Sequence, residues 1–159
     1  GKSVHVFAGK AALCVAETVT PVGEKHTITF EVAQLLPTGK ANWQNKVALM
    51  LTVPEQVLVL GVLRGFMQKV DLKGHGTQKE KAMTIVNQGN QFFLTMIKRG
   101  QSPRAIPIPA AYAYPITTML QQQMQKNDPH LSVEMIERIA EHLCVMHDSA
   151  EKQPGANRG

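Results

Sequence analysis

Residues 3–19 read SVHVFAGKAALCVAETV, and the architecture turns on how that run is parsed. Val4, Val6 and Ala8 recur every second residue, and Ala11–Val19 is short-period and rich in β-formers, which is the rhythm of strands and not of a helix. Gly9-Lys10 between them reads as a turn or bulge.

Beyond this run, a turn over residues 21–24 leads to a strand over 26–36. There Ile28, Phe30 and Val32 alternate with Thr27, Thr29 and Glu31, so one face is expected buried and the other wet. Residues 37–45, PTGKANWQN, form a polar loop holding the sole tryptophan, Trp43, and a further strand runs from Lys46 to about Leu51. The period then changes. Thr52-Val53-Pro54-Glu55 is a capping box with proline in the first helical turn. Val57, Leu58, Leu60, Val62 and Leu63 make a helix ending near Gly65, apolar on most sides, which must be buried by the rest of the fold or by another subunit.

The second half repeats this plan. Strands are expected over 69–73 and 81–86 around a Gly74-His75-Gly76 turn, and a hairpin at 87–90 leads into a strand over 91–98. A strand over 104–108 ends at Pro109, and a helix runs to about Lys126 with Pro115 in its first turn. Glu24-Lys25 matches Glu80-Lys81, and Pro54 matches Pro109, at offsets of about 55 residues, which suggests a duplicated unit of antiparallel strands followed by a helix. Ser132 caps a third helix whose Val133, Ile136, Ala140, Leu143 and His147 share a stripe. The expected organisation is a body over 1–126, a helical extension over 127–148 and a flexible tail over 149–159.

The 159 residues carry 17 Lys and Arg against 12 Asp and Glu, a net charge of +5. The charge is uneven: +8 in residues 1–126 and −3 in residues 127–159. A basic body with an acidic extension points to a polyanionic partner for the body. A hydrophobic content of 43% with mean hydropathy −0.13 excludes wholesale disorder. No apolar run approaches the ~20 residues needed to cross a bilayer. Cys14 and Cys144 form no CxxC and read as small buried apolar residues, which favours a reducing interior compartment.

Catalytic signals are missing. There is no GxSxG, Walker loop or HExxH, and Asp71, Asp128 and Asp148 are scattered, so neither an enzyme nor a cofactor is expected. His142, Cys144 and His147 gather too loosely on the last helix for a zinc site and are read as packing, so no metal is expected. The nucleic-acid signals are stronger. Trp43 lies among Lys40, Asn42, Gln44, Asn45 and Lys46, a plane for base stacking beside cations, although packing of the indole on the sheet is an equal alternative. Phe92 and Phe93 point to opposite faces of their strand, leaving one free to stack. Lys98-Arg99 and Arg104 flank one connection; Lys69, Lys73, Lys79 and Lys81 surround the Gly-His-Gly stretch.

Gly9-Lys10-Ala11-Ala12-Leu13 resembles the lysine-glycine-lysine-alanine-alanine-leucine signature of the Whirly family of single-stranded-DNA-binding proteins. The resemblance continues in order through Trp43 and Lys46, Lys73-Gly74, Gln91-Phe92-Phe93-Leu94 and Ala105-Ile106-Pro107-Ile108, over roughly residues 3–125. It implies an α+β fold of two antiparallel β-sheets related by pseudo-twofold symmetry, each followed by a helix, here with an extra C-terminal helix. It further implies a homotetramer built on the helices, able to form higher rings, that binds single-stranded DNA along sheet edges with little sequence preference. The family's members work in plant organelles, in genome stability, transcription and defence. The chain departs from the signature at Ala8, where the first lysine would stand. Residues 22–41 look shorter than the family's, implying a reduced or merged strand in the first sheet, and nothing matches from Asp128 on. Such departures fit a distant member, bacterial or carried by a mobile element. A bacterial member would be cytoplasmic or nucleoid-associated, a plant-type one organellar.

The expected function is sequence-independent binding of single-stranded DNA for protection, repair or replication. The candidate contacts are Lys10, Lys40, Trp43, Lys46, Lys73, Lys81, Phe93, Lys98 and Arg99. An RNA-binding or transcription-regulating module, or a purely structural oligomer, are the alternatives.

Overall fold

The structure, a computed structural model, describes residues 1–153. Eight strands form two four-stranded antiparallel sheets, each a simple meander. Sheet 1 contains β1 (Ser3–Ala8), β2 (Ala11–Val19), β3 (His26–Gln34) and β4 (Val47–Met50); α1 (Val53–Leu63) follows it. Sheet 2 contains β5 (Lys69–His75), β6 (Lys81–Asn87), β7 (Gln91–Lys98) and β8 (Arg104–Pro109), followed by α2 (Ala113–Asn127) and α3 (Val133–Lys152). The strands-then-helix unit thus occurs twice, as the internal match implied. The first sheet is complete, so the short 22–41 segment costs it no strand.

Gly9-Lys10 is a two-residue hairpin turn: Ala8 pairs with Ala11, and Gly9 takes the left-handed conformation such turns need (φ 59°). The inner faces of the sheets meet in one core, where Val6, Leu13, Phe30, Val32 and Leu49 from sheet 1 join Leu72, Ile85, Leu94, Met96 and Ile106 from sheet 2. The expected wet face of β3 is not wholly wet. Thr27 is fully buried, its hydroxyl donating to the Leu51 carbonyl at 2.8 Å, because the helices cover that end of the sheet.

Thr52 caps α1 through the expected capping box with Glu55. Gly74 and His75 are not a turn but the irregular end of β5, whose register shifts between Leu72 and His75, and His75 bonds Glu55 at the start of α1 (2.7 Å). α3 buries Ile136, Ala140 and Cys144, so the inward stripe carries Cys144 where Leu143 was expected; Leu143 is largely exposed. These three residues belong to the same core as the sheets. α3 also runs through Lys152, which places residues 149–152 of the expected tail in a helix; from residue 154 on, that tail lies outside the described residues. No helix among the described residues is long and apolar enough to cross a membrane.

The helices gather at one end of sheet 1. Asn127 exchanges two hydrogen bonds of 2.8 Å with the His26 backbone, Gln56 donates to the His26 carbonyl at 3.0 Å, and Gln123 to the Thr27 carbonyl at 2.7 Å. The opposite end, with the Gly9-Lys10 turn and the β3–β4 loop, is left free of helices.

Candidate nucleic-acid interface

Alternation along β1 sends Val4, Val6 and Ala8 inward and Ser3, His5 and Phe7 outward. Phe7 is 62% exposed on this edge strand. Across the same outer face, His5 stands opposite Cys14 and Cys14 opposite Glu31, while Phe7 stands opposite Ala12 and Ala12 opposite Ala33. The β3–β4 loop folds back over this face. Its Asn42 N–H donates to the Gln34 carbonyl (2.9 Å), and Trp43–Asn45 form one 3-10 turn. The half-buried indole of Trp43 meets the His5 ring edge-on, centroids 6.2 Å apart and planes at 82°. On the same outer face Ala12 and Ala33 are both fully buried. Trp43 is therefore partly packed, edge-on against His5, and partly open to solvent.

The cations fall into groups. Lys10, on the β1–β2 turn, and Lys40, on the β3–β4 loop, are exposed and belong to no ion pair among the described residues. Backbone bonds draw their segments together: Leu35 N–H donates to the Lys10 carbonyl (2.9 Å) and Leu36 N–H to the Lys40 carbonyl (2.7 Å). Lys46 is paired with Glu31. Lys81 reaches across to sheet 1, where its Nζ donates to the Ala48 carbonyl at 2.5 Å, and Lys98 is its register partner on β7. Arg99 holds the β5–β6 loop through the Gln78 and Lys79 carbonyls at 3.3 and 3.4 Å. The Glu80 carboxylate in that loop sits below its ordinary pKa because its own and the Gln78 backbone N–H groups bond it, with Lys81 and Lys98 adding to the effect.

β8 lies across the helix-free end of sheet 1. Pro107 comes within 3.5 Å of where a β-carbon on Gly9 would stand, Ser102 bonds Gln34 (3.4 Å), and Arg104 bonds the Asn45 carbonyl (3.1 Å). Pro107 is also the register partner of Phe93, which is half-buried while Phe92 is core. Lys10, Lys40, Trp43 and Lys46 thus border the helix-free end of sheet 1, Lys81 bonds β4 with Lys98 as its partner on β7, Arg99 holds the β5–β6 loop, and Phe93 stands on β7 opposite Pro107. Lys73 is not brought there: it stands on the exposed side of β5, beside a groove shared with Asp148 and Glu151 of α3.

Sequence reasoning missed three contributors. His5 and Phe7 were legible as the outward positions of a strand whose inward ones are Val4, Val6 and Ala8. Arg104 was noted only as a cation and is in fact buried. Cys14, expected buried, is half-exposed on the outer face, with its thiol pKa raised first by burial and then by the Glu31 charge. Among the described residues no group of His, Cys, Asp and Glu is arranged to hold a metal.

No protein-family model matches the sequence, and no curated protein matches it. Solved structures do share its shape. WHY3 from Arabidopsis thaliana superposes with a TM-score of 0.58 at 15% identity, over 80% of this chain and 88% of that one. The plant transcriptional regulator PBF-2 gives 0.57 at 15% identity over 79% and 81%, and WHY1 from Arabidopsis thaliana 0.56 at 16% identity over 79% and 90%. These are Whirly proteins, and the fold of this chain is theirs.

Proposed function

We propose that this chain, folded as a Whirly protein, is a non-enzymatic binder of single-stranded DNA with little sequence preference, acting in DNA protection, repair or replication. One observation carries the reading: Trp43, His5 and Phe7 share an outer sheet face beside the unpaired lysines 10 and 40. Aromatic faces accept any base, and cations follow the backbone, so this arrangement grips a strand without reading its sequence. A homotetramer is part of the proposal, supported by apolar side chains left exposed near the helices, among them Val53, Ile139 and Leu143.

Titration with single-stranded and duplex oligonucleotides over a range of salt tests it. Log affinity for the single strand should fall with log salt at about −0.7 per neutralised phosphate. A flat salt response, or tighter binding to duplex, refutes the proposal. Tighter binding to RNA than to DNA of matched sequence would instead favour a reader of the 2′-hydroxyl. The similarity to PBF-2, a plant transcriptional regulator, supports a second reading in which nucleic-acid binding serves transcription regulation.

A further inference from the structure

Arg104 is the only charged residue that is buried among the described residues, at 2% exposure, and it takes part in none of their ion pairs. Its Nη1 donates to the Ser102 carbonyl at 2.7 Å. Its Nη2 donates to Gln101 Oε1 and to the Asn45 carbonyl, both at 3.1 Å, while Nε has no partner. Removing a charge from water without an opposite charge beside it is unfavourable, and an apolar side chain would fill the same space without that penalty. What a guanidinium adds is a rigid planar fork able to serve several acceptors at once.

The acceptors show what the fork joins. Ser102 and Gln101 belong to the β7–β8 turn next to Arg104 itself. Asn45 lies in the β3–β4 loop of the other sheet and ends the 3-10 turn that carries Trp43. That turn is tied at its start by the Asn42–Gln34 backbone bond of 2.9 Å, and the bond at its end, from Lys46 N–H to the Trp43 carbonyl, is long at 3.4 Å. Among the described residues the Arg104 guanidinium is the one side chain of sheet 2 that bonds the turn.

We infer that Arg104 is a positioning residue: from beneath the interface it fixes the turn that aims Trp43 at His5, without touching the bound strand. The inference rests on the reading of Trp43 as a stacking platform. A lysine at this position keeps the charge, but its single ammonium cannot reproduce the planar fork between the two turns. A glutamine keeps an amide donor and loses the charge.

Trp43 is the only tryptophan, so its fluorescence reports on the turn without a label. The experiment compares Arg104→Lys, Arg104→Gln, Trp43→Ala and the Trp43→Ala/Arg104→Lys double variant. The readouts are iodide quenching of the free protein, for the variants that keep Trp43, and affinity for a thymidine oligonucleotide. Both arginine variants should make Trp43 more accessible to iodide and weaken binding by about tenfold. In the Trp43→Ala background, Arg104→Lys should change affinity by less than about twofold, because the residue acts through the indole. Equal loss in both backgrounds, or unchanged quenching, overturns the inference. So does weakened binding in Arg104→Gln alone, which would make the charge and not the fork the active feature. Should Arg104→Lys fail to fold, Arg104→Gln carries the quenching test by itself. If Trp43→Ala binds as wild type, the stacking reading fails, while quenching of the free protein still decides whether Arg104 holds the turn.

Discussion

Gly61 on α1 and Cys144 on α3 meet where the two helices cross: a β-carbon on the glycine would lie well inside 3.0 Å of the cysteine sulfur and 3.3 Å from its Cβ. The sulfur in turn bonds the Val57 carbonyl at 3.5 Å. The absent glycine side chain is what allows α3 to close over α1, and Arg64 of the α1 cap pairs with Glu137 of α3 beside the crossing.

Gly61→Ala should therefore destabilise the protein. Alanine favours the helix by about 1 kcal/mol, but overpacking costs about 1–3 kcal/mol, and with the sulfur inside 3.0 Å the upper end applies, so a net loss of up to about 2 kcal/mol is expected in denaturant unfolding. Adding Cys144→Ala removes the sulfur and leaves the 3.3 Å Cβ contact, so it should restore part of the loss. A Gly61→Ala protein as stable as wild type would show that the helices do not cross this closely.

The same crossing predicts a pH dependence. Burial, with the Asp148 charge adding to it, pushes the Cys144 thiol from 9.0 up to about 11. Between those values the unfolded chain releases the proton and the folded chain keeps it, so the unfolded state binds fewer protons and stability falls as pH rises through the window. The fall should be shallower in Cys144→Ala, as read from unfolding at pH 8, 9.5 and 11. At pH 8 a thiol reagent should modify half-exposed Cys14 before Cys144, which should react only on unfolding.

Trp43→Ala and Phe7→Ala should each weaken single-strand binding by about 1–3 kcal/mol if both rings stack on bases. Oligonucleotide titration at fixed salt reads the loss. Wild-type affinity in both variants would remove the aromatic face from the interface.

The lysines should separate by role. Lys10→Met should lower affinity evenly across sequences and reduce the salt slope by about 0.7. Lys81→Met should instead lower stability by about 1 kcal/mol, because its ammonium is committed to the Ala48 carbonyl across the sheets. Equal effects of the two on the salt slope would contradict this division.

Much of the fold was legible in local pattern. The period-two run of β1, the Gly9-Lys10 turn, the Thr52–Glu55 capping box and the Ser132 cap are decided by residues within a few positions of one another, and all occur in the structure. Where the expectations slipped, distant packing had intervened. Thr27 looked outward-facing but lies beneath α2, whose Gln123, 96 positions along the chain, donates to the Thr27 carbonyl. Leu143 and Cys144 are adjacent on α3, and the position of Gly61 on α1 selected the smaller side chain for the crossing.

Which segments are strands and helices, the repeat of one unit and the basic body all follow from local residue pattern, since backbone preference, side-chain period and charge are properties of short stretches. What each charge does is set by the assembled fold. Lys10, Lys40, Lys81 and Arg104 are all cations in the basic body. Lys10 and Lys40 stand in solvent, Lys81 is spent on a carbonyl of the other sheet, and Arg104 is buried behind the tryptophan turn. That division depends on β8 crossing the end of sheet 1, which brings residues 45 and 104 together, and no local pattern encodes an encounter between segments so far apart in the chain.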